Sequence, residues 1–179
     1  MNIVIIGMSG VGKSTIGKLL AKELGYLFID LDKSIELKCG VDITTIFAIE
    51  GEEGFRYREY EELVNVLKNN NSVIATGGGV VNKVENINLL KSDPNIIVIY
   101  LTSDLENIMK RVSYNIHKRP MLQKSNLKDT IEKMHTERDY LYKKVAHFIV
   151  DATNSNINKT VIIMLNVLKD YCKNNLISI

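Results

Sequence analysis

Residues 2–15 read NIVIIGMSGVGKST, and this stretch decides the fold. The run Asn2–Ile6 is short, apolar and β-branched, which is typical of a strand buried on both faces. The residues from Gly7 onward match the pattern GxxxxGK[ST], and the apolar spacing within Lys13–Leu24 predicts a helix directly after the loop. A strand that leads through such a loop into a helix is the context that distinguishes a phosphate-binding loop from a plain glycine-rich turn.

The loop supplies the groups that a nucleoside triphosphate needs. Its glycines let successive backbone amides turn toward phosphate oxygens, and the helix N-terminus adds a partial positive charge. We expect Lys13 to neutralise the β- and γ-phosphates of ATP, and Ser14 to ligate Mg²⁺ as the cofactor. The loop residues expected to bind ATP are Gly10, Val11, Gly12, Lys13, Ser14 and Thr15.

The loop alone does not separate a kinase from an ATPase or a GTPase. A GTPase needs a base-reading NKxD motif, and the nearest match, which begins at Asn82, has Glu85 where Asp is required. Motor and AAA-type ATPases need a longer chain with extra modules. A compact chain with a mobile, arginine-bearing segment suits a small-molecule kinase, because such an enzyme must keep water away from the γ-phosphate.

The rest of the chain alternates strands with helices. Four more strands are predicted, at Leu27–Ile29, Ser72–Ala75, Ile96–Leu101 and Phe148–Val150. Further helices are predicted at Ser34–Cys39, Ile43–Ile49, Gly54–Leu67, Val80–Leu90, Leu105–Val112, Leu127–Val145 and Lys159–Lys173. This alternation predicts an α/β fold, in which a five-stranded parallel sheet flanked by helices forms three α/β/α layers. We expect one P-loop kinase domain over residues 1–179.

The composition excludes several other classes of protein. The chain has 179 residues, 45% apolar and 25% charged, and its formal charge is only +2, so a nucleic acid is not expected as a partner. The apolar runs are too short to cross a membrane, and no segment resembles a signal peptide. Cys39 and Cys172 form no paired motif, and free thiols fit a reducing compartment. We therefore expect a cytoplasmic protein with no membrane partner, and a monomer.

Two carboxylates follow the second predicted strand. Asp30 and Asp32 form a D-x-D pattern, and in an extended stretch residues two apart face the same side, here toward the phosphate loop. One carboxylate can hold Mg²⁺ through water, and the other can accept a hydrogen bond or a proton from an attacking hydroxyl group. The alternative is that one of them only caps the following helix.

Arginine is scarce in this chain, with five Arg against 18 Lys, so each Arg is a candidate for gripping a carboxylate or a phosphate. Arg56 begins a Glu-rich helix, and Glu59 can orient it from the same face, the alternative being an ordinary surface ion pair. Arg119 lies in a polar break that we expect to be a mobile lid over residues 112–125, which would bring its charge to the transferred phosphoryl group. The alternative is a disordered loop. Arg138, on the helix that follows, could complete the positive cluster, the alternative being an ordinary solvated side chain.

Three consecutive glycines, Gly77, Gly78 and Gly79, directly follow an apolar strand. Each glycine costs conformational entropy on folding, and a tight turn needs one or at most two. We therefore expect a ligand to approach this backbone closely.

Taken together, these motifs resemble the shikimate kinase family. The segments that carry the likeness are GMSGVGKST, FIDLD, IELKCG, IFAIEGEEGFRYRE, TGGGVV, KRPML and ERDYLYKKVA, from about Asn2 to Val150. Many families share the phosphate loop, but the ordered combination of D-x-D, GE-x-x-FR-x-x-E, GGG and RP is specific. The resemblance implies a nucleoside-monophosphate-kinase-like P-loop fold with a lid. It also implies transfer of the γ-phosphate of ATP to the 3-hydroxyl of shikimate, on the route to chorismate and aromatic amino acids.

The resemblance also implies a role for each candidate residue. Lys13, Asp32 and Arg119 would be catalytic, while Ser14 and, through water, Asp30 would serve the metal. The residues implied to bind the substrate are Asp32, Arg56, Gly77, Gly78, Gly79 and Arg138, around a helical segment at about residues 31–61. Arg56 and Arg138 would grip the substrate carboxylate, and Arg111 and Arg119 would bind ATP.

The sequence departs from the family pattern in three places, and two rival functions stay open. Residues 119–122 read RPML where the family usually has RPLL. The spacing from Arg111 to Arg119 is one residue longer than usual, and Asp151–Lys159 lacks the Arg and Pro that the family often has near adenine. One rival is another small-molecule kinase of the same fold, such as a gluconate or nucleotide kinase. The other is a non-catalytic nucleotide-binding regulator, against which the presence of Asp32, Arg56 and Arg119 argues.

Overall fold

The structure is a computed structural model, and it describes residues 1–114 and 126–174. The strands are β1 (Asn2–Ile6), β2 (Leu27–Asp30), β3 (Ser72–Ala75), β4 (Ile96–Thr102) and β5 (Phe148–Asp151). The helices are α1 (Lys13–Leu24), α2 (Leu31–Cys39), α3 (Ile43–Val66), α4 (Val84–Ser92), α5 (Leu105–Ser113), α6 (Leu127–Val145) and α7 (Ile157–Asn174). Within the described ranges, no helix combines the length and the apolar character that crossing a bilayer requires.

The five strands form one parallel sheet, as predicted, and their order in it is β2-β3-β1-β4-β5. After the neighbouring strands β1 and β3, the chain continues to opposite faces of the sheet. Helix α1, which follows β1, packs on one face, and α4, which follows β3, packs on the other. This divergence opens a crevice at the carboxyl ends of β1 and β3. Open α/β sheets bind their ligands at such a crevice.

The central strands β1, β3 and β4 are buried on both faces, which confirms the three-layer prediction. In β1, Ile3 and Ile5 pack with α1 and α7, whereas Val4 and Ile6 pack with the helices α2 to α6 on the opposite face. Successive side chains of a strand point to opposite faces, so one apolar run serves two cores.

Helix α3 contains a break that the sequence predicted as two separate helices. Gly51 has φ 70° and ψ −173°, a backbone conformation that is open to glycine and strained for other residues. The chain therefore turns at Gly51, and the helical segment after it carries Arg56 and Glu59 toward the crevice.

Two predicted helix boundaries are wrong. A single helix at Val80–Leu90 was expected, but Val80–Asn82 forms a 3₁₀ turn and Lys83 is extended, with φ −103° and ψ 123°, before α4 begins. Helix α2 begins at Leu31 instead of Ser34, because Asp30 caps it. Because α2 starts early, Asp30 becomes its N-cap and Asp32 lies in its first turn.

Candidate active site

The phosphate loop lies at the carboxyl end of β1. Gly10 and Gly12 have φ of 87° and 109°, so the loop bends through backbone conformations that favour glycine. Gly12 is also the N-cap of α1 and has no side chain with which to bond the first-turn amides. These amides and the helix dipole are therefore available to an anion, as expected of a phosphate site.

Lys13 is buried within this loop. Its Nζ donates hydrogen bonds to the carbonyl oxygens of Gly7 at 2.7 Å and Met8 at 3.0 Å, which holds the ammonium group inside the curve of the loop. A cavity of about 300 Å³ opens beside it, lined by Ser9, Gly10, Gly12, Lys13, Ser14, Thr15, Asp32, Thr76, Gly78 and Arg111. The structure thus brings most of the residues expected to bind ATP to one cavity, together with Asp32.

The two aspartates after β2 have different surroundings, which corrects the expectation that both lie on one extended stretch. Asp30 is the extended N-cap of α2, and its Oδ1 accepts a hydrogen bond of 3.3 Å from the backbone N–H of Lys33. Asp32 lies in the first turn of the helix and lines the phosphate cavity. The capping alternative therefore holds for Asp30.

Arg56 is oriented by buried charge, as the spacing to Glu59 predicted. Its Nη1 donates to Glu59 Oε2 at 2.7 Å, and its Nε and Nη2 donate to Glu52 Oε1 at 3.3 and 3.2 Å. The side chain of Arg56 is 13% exposed and that of Glu59 is fully buried, so the surface ion-pair alternative is excluded. The guanidinium also lies 5.2 Å from the ring centroid of Phe55.

The triple glycine is shaped around these side chains. A Cβ on Gly77 would lie 2.6 Å from Glu59 Oε1 and 2.8 Å from Asp32 Oδ1. These two carboxylate oxygens are buried, and neither finds a hydrogen-bond donor among the described residues. Unpaired buried acceptors are rare and costly, so their position at the crevice marks a place for a ligand that donates hydrogen bonds.

The next two glycines allow close contacts with the phosphate loop and with Arg56. A Cβ on Gly78 would lie 2.8 Å from the backbone nitrogen of Ser9, and a Cβ on Gly79 would overlap the guanidinium of Arg56. Close approach of the protein's own groups therefore accounts for the three glycines. The expected contact with a ligand stays a prediction.

Arg138 and Tyr142, both on α6, bind the backbone of the triple glycine at Gly78. Arg138 is 8% exposed, and its Nη1 donates to the carbonyl oxygen of Gly78 at 3.3 Å. The hydroxyl of Tyr142 donates to that same oxygen, and its ring stacks on Tyr100 with centroids 4.9 Å apart. Tyr142 was missed in the sequence, although its spacing of four residues from Arg138 places both on one helical face.

Electrostatics distinguish Asp32 from an ordinary surface aspartate. Burial raises the pKa of its carboxyl group to about 7, with the charges of Glu59 and Asp30 adding to the effect. The nearby cations Lys13 and Arg56 act in the opposite direction. A carboxyl group with a pKa near neutrality is suited to accept a proton at physiological pH.

A second cavity adjoins the phosphate loop on its far side. It has about 170 Å³ and is lined by Val11, Gly12, Thr15, Ile16, Arg111, Ala152, Ser155, Ile157 and Thr160. Arg111 borders both cavities, and its Nη1 donates to the carbonyl oxygen of Val11 at 3.0 Å. The sequence left this edge undecided, because Ser155 and Ile157 belong to no recognisable motif.

One candidate residue cannot be placed. Arg119 and nearly all of the predicted lid at about residues 112–125 lie outside the described residues. Arg56 and Arg138, by contrast, both lie at the triple glycine, next to the phosphate loop.

The fold and the site define the class of the protein: a P-loop kinase that acts on a small molecule, with a phosphate loop facing a buried cluster of arginines and carboxylates. A family model described as shikimate kinase matches residues 9–169. The chain belongs to the shikimate kinase family.

Individual relatives agree with this assignment. The shikimate kinase of Francisella tularensis subsp. novicida is 44% identical over 161 residues, which cover 89% of this chain and 90% of that protein. That of Nitrosomonas europaea is 43% identical over 151 residues, covering 84% and 70%. The solved structure of the shikimate kinase from Acinetobacter baumannii in complex with shikimate has a TM-score of 0.90 and 35% identity, covering 95% of this chain and 93% of that one.

Proposed function

We propose that this chain transfers the γ-phosphate of ATP to the 3-hydroxyl of shikimate, giving shikimate 3-phosphate on the route to chorismate and aromatic amino acids. The observation that carries the proposal is the cluster at the triple glycine. The guanidinium groups of the largely buried Arg56 and the buried Arg138 lie there, beside carboxylate oxygens of Asp32 and Glu59 that find no donor among the described residues. A complementary ligand needs a carboxylate to pair with the two arginines and hydroxyl groups to donate to the Asp32 and Glu59 oxygens. Shikimate has both.

Asp32 is assigned the role of base. Its carboxylate accepts a hydrogen bond from the 3-hydroxyl and takes the proton as that oxygen bonds to the γ-phosphorus of ATP. The bond from the γ-phosphorus to the β–γ bridging oxygen breaks, and ADP leaves. Lys13 neutralises charge on the transferred group, and we assign the same task to Arg119.

Mg²⁺ is part of the proposal, and the side chains present fit it. The Ser14 hydroxyl lies in the phosphate cavity, and oxygen donors are the ligands that Mg²⁺ prefers. Asp30 uses Oδ1 to cap α2, so it would reach the ion through a water molecule. When bound, the ion supplies positive charge to the phosphates of ATP.

Further parts of the proposal concern the whole molecule. ATP would be held by residues 10–15, by Arg111 and by Arg119, with its base in the cavity between Arg111 and Ile157. Shikimate would be held by residues 77–79, Asp32 and the two arginines. We propose a single domain over residues 1–179, with a substrate-binding segment at about 31–61 and a mobile lid at about 112–125, acting as a cytoplasmic monomer without nucleic-acid or membrane partners.

The proposal is tested by ADP release in a coupled assay with shikimate as the acceptor. Gluconate and deoxynucleosides serve as controls, because they represent the acceptors of other kinases with this fold. We expect release to depend on shikimate and to stay at the background rate with the controls. No shikimate-dependent release at millimolar concentration, or equal release with gluconate, would overturn the assignment.

A further inference from the structure

Two carboxylates of the chain itself contact Arg56, and they differ in burial. Glu59, which takes Nη1, is fully buried and forms a fixed wall of the site. Glu52, which takes Nε and Nη2 at 3.3 and 3.2 Å, has a side chain that is 41% exposed. Glu52 therefore reaches the guanidinium of Arg56 from its solvent-exposed side.

Glu52 occupies one of the two edges through which a guanidinium binds carboxylates. Nε and Nη2 form one edge, and Nη1 and Nη2 form the other. Since Glu59 already takes Nη1, an incoming carboxylate finds only part of the second edge and the neighbouring Arg138. It also brings a third negative charge to the same guanidinium, and like charges at this range repel.

Glu52 has support of its own, independent of Arg56. It directly follows the break at Gly51 and therefore lies at the start of the second helical segment of α3. A carboxylate at a helix N-terminus is favoured by the helix dipole. Glu52 can thus release Arg56 while the helical segment stays folded, and removing its charge should leave the fold intact.

We propose that Glu52 sets the affinity and the selectivity of the acceptor site by competing with the substrate carboxylate for Arg56. This inference rests on the proposed function. A ligand that also offers hydroxyl groups to Asp32 and Glu59 offsets the competition. A simple carboxylate without hydroxyl groups cannot, so Glu52 keeps such anions out of the site.

Isothermal titration with shikimate tests the inference on three proteins: the wild type, Glu52→Gln and Glu53→Gln. Glu53 is the matched control, because it is the next carboxylate on the same turn, is exposed and lies outside the contacts of Arg56. We expect Glu52→Gln to bind shikimate about fivefold more tightly, as for loss of a partly exposed ion pair. Glu53→Gln should bind as the wild type does.

Two further ligands separate competition from a general change of the site. The methyl ester of shikimate has no negative charge, so Glu52→Gln should gain nothing with it. Cyclohexene-1-carboxylate keeps the ring and the charge without hydroxyl groups, and it should gain at least as much as shikimate. Glu52→Ala, checked by thermal melting, should show the same direction as Glu52→Gln.

Equal or weaker binding of shikimate to both Glu52 variants would overturn the inference, because it would mean that Glu52 positions Arg56 instead of competing for it. An equal gain in Glu53→Gln would also overturn it, by pointing to the general negative field of the helix. If the wild type binds no shikimate at all, the proposed function fails and the inference falls with it.

Discussion

Arg56 Nη1 donates a hydrogen bond of 2.7 Å to Glu59 Oε2, and this ion pair is removed from solvent. Burial alone would lower the pKa of Arg56, but the charges of Glu59 and Glu52 outweigh it and raise the pKa. The guanidinium therefore stays charged, and its plane is fixed before a substrate arrives. A fixed fork is what a carboxylate-binding site requires.

Replacing the fork by a point charge should weaken acceptor binding. We expect Arg56→Lys to raise the KM for shikimate by about tenfold and to leave the KM for ATP unchanged, because a lysine cannot form a two-pronged contact. Steady-state kinetics with each substrate varied measure both constants. Arg58→Lys is the control, since Arg58 lies on the same helix and is paired with Glu50 at the surface. An unchanged KM for shikimate in Arg56→Lys would contradict the assignment.

Removing the charge of Asp32 should affect chemistry more than binding of the nucleotide. Asp32→Asn keeps the shape of the side chain but cannot accept a proton, so we expect kcat to fall by about 100-fold or more. The affinity for ATP, measured by titration without acceptor, should stay within about twofold of the wild type. A variant with full activity would remove Asp32 from the mechanism.

The same variant should be more stable than the wild type above neutral pH. The pKa of Asp32 is raised from 3.8 to about 7, so the folded protein holds the proton more tightly than the unfolded chain does. Below the ordinary pKa both states are protonated and the group costs nothing. Between the ordinary pKa and about 7, the unfolded chain releases this proton while the folded protein keeps it, so the free energy of unfolding decreases as the pH rises, and the decrease levels off above about 7.

Calorimetry of the wild type and Asp32→Asn across this range measures the effect. The gain in Tm should be near zero at about pH 4, grow with pH and level off above neutrality at about 3 °C or more. If Asp32→Asn were less stable than the wild type at high pH, Lys13 and Arg56 would be stabilising the charge of Asp32 by more than burial costs.

The hydroxyl of Tyr142 should matter for stability and for the acceptor site. Tyr142→Phe removes one of the two donors that the described residues bring to the carbonyl oxygen of Gly78, in a side chain that is fully buried. We expect a loss of about 1 kcal/mol and a Tm lower by about 3 °C, with a modest rise in the KM for shikimate. Tyr140→Phe, at a position 62% exposed on the same helix, should change neither quantity. Equal melting of the two variants would contradict the role of the Tyr142 hydroxyl.

The sheet was predictable because each strand is marked by the composition of its own short segment. Apolar runs such as Asn2–Ile6 and Ile96–Leu101 are short, rich in β-branched residues and separated by helical patterns, so each strand is recognisable by itself. The break in α3 was predictable for the same reason, since Gly51 interrupts a helical pattern with a residue suited to a turn.

The parts of the site that belong to a local sequence motif were predictable. The parts whose position depends on tertiary packing were not. The spacing from Arg56 to Glu59 predicted an ion pair, but no sequence pattern shows that the pair is buried. Asp30 and Asp32 were treated as one extended pair because the start of α2 depends on which aspartate caps it. The residues at the second cavity, such as Ser155 and Ile157, come together only in the folded chain.

A crystal structure of the protein with shikimate and ADP would test the central claim most directly. The account predicts the shikimate carboxylate within hydrogen-bonding distance of both Arg56 and Arg138, with the 3-hydroxyl facing Asp32 on the side of the phosphate loop. A carboxylate directed to solvent, or a ring bound away from the triple glycine, would contradict it.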